Sequence, residues 1–187
     1  MIVVVSGLPR SGTSMMMQML QAGGMVLLTD HRREADTNNP QGYWEYEAVK
    51  RLKHDQTWLG DAEGKVVKII APLVAYLPPA YPYRIIFMER DLEEVLQSQR
   101  RMLERLGQHY SADDQSTLKR AFTQQLKQVN AWLADQPDIE TLYVSYRAII
   151  LDPRAVAEQV SAFLDRKLYT EQMAAVVDAK LYRERRE

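Results

Sequence analysis

Cysteine is missing from all 187 residues, which excludes disulfides and thiolate metal centres. A reducing cytoplasm fits that absence, although export is compatible with it too. No sign of charge is in excess: 24 Lys and Arg face 25 Asp and Glu, a net charge of −1. Nothing global therefore points to nucleic acid or an anionic membrane as partner. No stretch approaches the roughly 20 apolar residues of a membrane span. The apolar N-terminus lasts about four residues before Ser6 and Gly7, too short for a secretion signal. Repeats, linkers and low-complexity segments are lacking, and the three histidines show no metal-ligand spacing to carboxylates. These absences predict one soluble cytoplasmic domain over residues 1–187, large enough to bury its own core and without a metal.

What is present is an alternation of strands and helices. Ile2 to Val5 is a β-branched run ending at a glycine turn, the pattern of a strand buried on both faces. Thr13 to Gln21 reads as a helix closed by Gly23 and Gly24. Residues 25 to 42 lack periodicity and read as a functional loop, followed by a short helix from about Glu45 to His54. Further strands are expected at Val66–Ile70, Arg84–Met88 and Thr141–Val144. Asp91 is placed to cap a helix, with Glu94 completing a capping box. Its apolar face would run through Leu92, Val95, Leu96, Met102, Leu103 and Leu106. Leu118, Phe122, Leu126, Val129 and Leu133 trace another helix, ended by Pro137, and helices follow Pro153 and occupy about 170 to 181. The fold class expected is α/β: three layers around a central parallel sheet. Ligands bind at the carboxyl ends of such strands, which puts the first glycine turn and Arg90 on one edge.

That turn, "SGLPRSGTS" over residues 6–14, is a phosphate loop. A strand-to-helix loop aims several backbone N–H groups at one point, and the helix dipole favours an anion there. Gly7 and Gly12 permit the tight turn, while Ser11, Thr13 and Ser14 add hydroxyl donors. The lysine that reaches the β and γ phosphates in a Walker loop is replaced by Thr13. Arg10, at the crown, supplies a cation instead, an arrangement better suited to a 5′-phosphate bearing a transferable group than to a triphosphate.

"LPRSGTS" resembles the 5′-phosphosulfate loop of the sulfotransferases, and "FMERDLEEVLQSQ" resembles the second half of their donor signature through Arg90 and Ser98. "VVKIIAPLVAYLPPAYPYRIIFMERD" and "LYVSYRAIILDPRAVAEQVSAFL" extend the likeness in the same order along most of the chain. The resemblance implies the P-loop NTPase-like sulfotransferase fold and a metal-free transfer from 3′-phosphoadenosine 5′-phosphosulfate. It places Arg10 to Ser14 on the 5′-phosphosulfate, Arg90 and Ser98 on the 3′-phosphate, and Tyr146 near the adenine. Arg183, in a basic tail with Arg185 and Arg186, is a further candidate for the 3′-phosphate, although the family's own C-terminal donor segment is absent.

Sulfuryl transfer needs charge stabilisation on the leaving phosphate and a base for the acceptor. Arg10 is the candidate for the first task. In the segment where cytosolic members carry a base histidine, this chain retains Lys68, which the resemblance makes a third catalytic candidate beside Arg10 and the base, but has Ile70 in the histidine's place. "NNPQGYWEYE" resembles a motif of bacterial members, which makes Glu45 the expected base, with Glu47 and then His31 as successors; His54 and His109 read as surface residues. The acceptor, a hydroxyl or amine compound, and the oligomeric state are not encoded in any motif. Two other readings stay open: a magnesium-dependent P-loop kinase with Glu89 as its carboxylate, and a nucleotide-binding module without catalysis.

Overall fold

A computed structural model describes residues 1–30, 32 and 42–178. Four strands form one parallel sheet: β1 (Ile2–Gly7), β2 (Val66–Lys68), β3 (Tyr83–Glu89) and β4 (Ile139–Ser145), ordered β2-β1-β3-β4. Helices α1 (Thr13–Ala22), α2 (Ala71–Val74), α3 (Leu92–Arg105), α4 (Ala112–Ala134), α5 (Tyr146–Leu151), α6 (Pro153–Phe163) and α7 (Thr170–Ala175) complete the α/β fold expected from the sequence.

Alternation along the strands divides the core. Ile2, Val4, Ile85 and Phe87 face α2, the end of α4 and the segment around Trp58. Val3, Val5, Ile86 and Met88 face α1, α6 and α7. α1 is anchored by Met16, Met17, Met19 and Leu20, all fully buried, each contributing about 1.5–3 kcal/mol. Methionine's flexible stem fits the uneven gap between sheet and helix. The helix that carries the phosphate loop is thus fixed to the sheet beneath it.

Chain order makes the site. From β1 the chain moves outward to β2, then crosses to β3 on the other side of β1. A crevice opens at such a switch point, above the carboxyl ends of β1 and β3. The turn at residues 8–12 and Arg90 both emerge there.

Several boundaries differ from the sequence reading. β2 ends at Lys68 because the chain turns into α2, with Pro72 in its first turn. The helix expected from Glu45 is a 3-10 helix, Glu47–Arg51. Within the expected loop, Leu27 bridges to Val66 and covers the edge of β2. The α3 core face is shorter than expected: Val95 and Leu96 are buried beside Leu8 and Phe122, whereas Leu106 stays exposed. α7 covers only the start of the last expected helix, and the basic tail lies outside the described residues.

Candidate active site

β1 ends in a loop with two residues in the left-handed half of conformational space before α1 begins, Arg10 at φ 68° and Gly12 at φ 101°. A side chain on Gly12 would place its Cβ 2.4 Å from the Tyr146 ring, so glycine is needed there for φ and for space. α1 has no side-chain N-cap and no acidic residue in its first turn, which leaves its positive end suited to an anion.

Arg90 leaves the end of β3 and is buried with Glu94, their side chains each 7% exposed and 3.0 Å apart. Asp91 caps α3 by accepting hydrogen bonds from the backbone N–H of Glu93 and Glu94. The Glu94 carboxylate thus sits one turn above Arg90. Arg90 Nη1 donates to the backbone carbonyl of Arg10 at 3.1 Å, and Arg10 Nε donates to Ser98 Oγ at 3.1 Å. The Tyr146 ring lies under the Arg90 guanidinium, 4.5 Å from its centroid. Burial pushes the Tyr146 hydroxyl above the usual phenol range, an effect that the Arg90 charge opposes.

A second group forms across the cleft. Thr29 Oγ1 and the Asp30 N–H both donate to the Glu45 carbonyl, and the Asp30 carboxylate accepts from the Glu47 N–H at 2.8 Å. Burial raises the Asp30 pKa, but hydrogen bonds from the Glu47 and Arg32 amides and the Arg32 charge outweigh it and hold the group below its ordinary value. Trp44 adopts φ 53°, an unusual angle for so bulky a residue. The turn brings the Tyr43 carbonyl and the Glu45 carboxylate to one cation: the buried Lys68 donates to the former and lies 3.7 Å from the latter. On the rim, Lys50 pairs with Glu47 at 2.8 Å, and Arg32 lies 3.8 Å from Asp30.

One cleft of about 840 Å³ joins both groups, with Arg10, Gly12, Thr13, Ser14, Glu45, Lys68, Arg90, Ser98 and Tyr146 all in its lining. Ser11 is placed differently. Its hydroxyl is buried without a hydrogen-bond partner among the described residues, tucked against Gly7 rather than facing the cleft. Tyr146 is also less open than a base-stacking residue would be, since it is buried between Gly12 and Arg90. His54 and His109 are exposed. His31, Arg183, Arg185 and Arg186 lie outside the described residues. Sequence reasoning missed Asp30, Arg101 and Arg105, which also line the cleft. Arg101 and Arg105 were legible as one helical face with Ser98, at positions three and seven residues on.

A family model described as "Sulfotransferase family" matches residues 33–171. The chain belongs to the sulfotransferase family. That match begins beyond the phosphate loop. No curated protein matches the chain in sequence. Solved sulfotransferases share its fold. The sulfotransferase domain from the curacin biosynthetic pathway is 15% identical with a TM-score of 0.55, covering 95% of this chain and 78% of that one. A sulfotransferase from Alicyclobacillus acidocaldarius is 14% identical with a TM-score of 0.56, covering 96% and 87%. Retinol dehydratase, solved with androsterone and the inactive cofactor PAP, is 17% identical with a TM-score of 0.55, covering 96% and 63%. Family and fold support a transferase of sulfuryl groups. Among the described residues, no helix is long and apolar enough to cross a membrane.

Proposed function

We propose that this sulfotransferase moves a sulfuryl group from 3′-phosphoadenosine 5′-phosphosulfate to a hydroxyl or amine of its acceptor. One observation carries the donor assignment. The phosphate loop and the Arg90–Ser98 pair are joined by two 3.1 Å hydrogen bonds into a single cradle at the switch point. A loop with an open helix N-terminus suits a 5′-phosphate, and a second guanidinium beside a hydroxyl suits a separate 3′-phosphate. The bound donor supplies an activated sulfuryl group.

The residues then divide the work. Arg10, Thr13, Ser14 and the α1 N-terminus hold the 5′ end, and Arg10 neutralises charge that grows on the leaving phosphate oxygen. Arginine brings permanent charge and a planar fork but no proton to give. Arg90 and Ser98 hold the 3′-phosphate. Ser11 and Tyr146 support the cradle: Ser11 packs beneath Gly7, and Tyr146 backs Gly12 and Arg90. Glu45 takes the proton of the acceptor as its oxygen or nitrogen bonds to sulfur and the sulfur–oxygen bond to the 5′-phosphate breaks. Lys68 and Asp30 fix the segment that carries Glu45.

Thermal unfolding tests this reading against the kinase. The product, 3′-phosphoadenosine 5′-phosphate, at 100 times its Kd should add about 2.7 kcal/mol without magnesium. Stabilisation by ATP–magnesium alone would overturn the assignment. Turnover of the donor separates an enzyme from a module that only binds.

A further inference from the structure

Arg90, Glu94 and Ser98 are spaced four residues apart, so Glu94 and Ser98 lie on one face of α3, and Arg90 enters that row from the end of β3. Glu94 stands third in the helix after the Asp91 cap, where a carboxylate gains from the helix dipole. Its Oε2 accepts from Arg90 Nε at 3.0 Å, and both side chains are 7% exposed. Arg90 Nη1 donates to the Arg10 carbonyl, and the Tyr146 ring covers a face of the guanidinium. Bonds at Nε and Nη1 thus fix the plane of the fork, and the ring fixes the side on which it lies.

Stability does not account for such a pair. Desolvating two charges offsets much of their attraction, and apolar side chains of the same volume are often as stable. What the carboxylate adds is direction. Arginine is among the side chains richest in rotamers, and a phosphate that binds a loose one must first order it. Glu94 orders Arg90 before any ligand arrives, in the row that leads to Ser98. Its charge also repels a phosphate, so two effects of opposite sign meet at one side chain. Distance decides between them. The bond to Nε orders the fork at 3.0 Å, whereas the repulsion reaches a phosphate beyond the guanidinium, past an intervening positive charge.

We propose that Glu94 is a positioning residue: it holds the Arg90 fork ready for the 3′-phosphate and so sets the preference for a bisphosphate nucleotide over a monophosphate. This rests on the donor reading above. The test is calorimetric titration with 3′-phosphoadenosine 5′-phosphate and with adenosine 5′-monophosphate, the ratio of the two Kd values being the preference. Native protein is scored first, and the absence of a preference there overturns the donor reading. Glu94→Gln keeps an oxygen that can accept from Nε, while Glu94→Met keeps the volume and offers only a weak acceptor. The preference should fall about 10-fold in Glu94→Met, the upper share of one side chain ordered on binding. In Glu94→Gln it should stay within about 3-fold of native, and the monophosphate should bind both variants within about 2-fold of native. A purely structural role would weaken both nucleotides together, and a dominant repulsion would raise the preference in both variants. Either result overturns the proposal, as does an equal loss in the two variants or an unchanged preference in Glu94→Met. Should Glu94→Met fail to fold, the Arg90 Nε–H resonance of isotope-labelled native protein reads the same question. It should stay protected from exchange with water when the bisphosphate is bound; loss of that protection on binding overturns the proposal.

Discussion

Replacing Arg90 with alanine asks whether one guanidinium serves both the fold and the donor. It lies 3.0 Å from Glu94, donates to the Arg10 carbonyl at 3.1 Å and covers the Tyr146 ring. Alanine would leave the buried Glu94 carboxylate without this cation, and breaking a buried pair from one side costs about 3–5 kcal/mol. In a domain of this size each kcal/mol moves the Tm by roughly 2–4 °C, so a fall on the order of 10 °C is expected. Glu94→Gln in the same chain removes the stranded charge and should restore much of that loss. Donor affinity should behave differently. The alanine variant should lose about 1.5–3 kcal/mol of affinity for 3′-phosphoadenosine 5′-phosphate, and the second substitution should not recover it. Adenosine 5′-monophosphate, without the 3′-phosphate, should lose little. Melting curves and calorimetry on the two variants with the two nucleotides read all four quantities. If both nucleotides weaken equally, or if Glu94→Gln restores stability and affinity together, Arg90 is a structural residue and no clamp.

Glu45→Gln should leave bisphosphate binding intact and lower turnover by about 10²–10⁴-fold; full activity in a transfer assay would move the base to Glu47. Gly12→Ala sets a Cβ 2.4 Å from Tyr146 at φ 101°, and should destabilise more than Gly64→Ala, where φ is 75° but the Cβ meets nothing within 4 Å. Equal melting shifts for the two would remove the case for close packing at the loop. Asp30 has a depressed pKa, so its contribution is present above the ordinary value of 3.8 and lost as pH falls through the lower folded value. Asp30→Asn should therefore melt earlier at pH 7, with the gap to the native chain closing below about pH 3.8; a gap constant across that range contradicts the role.

The sheet was legible because burial on both faces forces uninterrupted apolar runs, as in Ile2–Val5 and Ile85–Met88. The loop was legible because tight turns around an anion need glycine at set positions, and Gly12 meets that need in φ and in space. What stayed hidden depends on residues far apart in the chain. Tyr146 packs on Gly12, and Arg10 reaches Ser98, only because β4 and α3 are brought to one edge. Glu94 read as a capping partner of Asp91, since its pairing with Arg90 depends on burial that periodicity does not report. Met102 read as core for the same reason: its position fits the apolar stripe of α3, yet it lines the cleft. The 3-10 helix after Glu45 and the left-handed Trp44 follow from anchoring by Asp30 and Lys68, contacts that local propensity cannot carry.

The most direct test is a crystal structure with 3′-phosphoadenosine 5′-phosphate. The 5′-phosphate is predicted over the N-terminus of α1, within hydrogen-bond distance of the Gly12–Ser14 backbone. The 3′-phosphate is predicted to be held by Arg90 and Ser98, with the present Arg10–Ser98 hydrogen bond given up so that Arg10 turns to the 5′ end. A nucleotide whose 3′-phosphate points to solvent, or one bound away from the phosphate loop, would contradict the account.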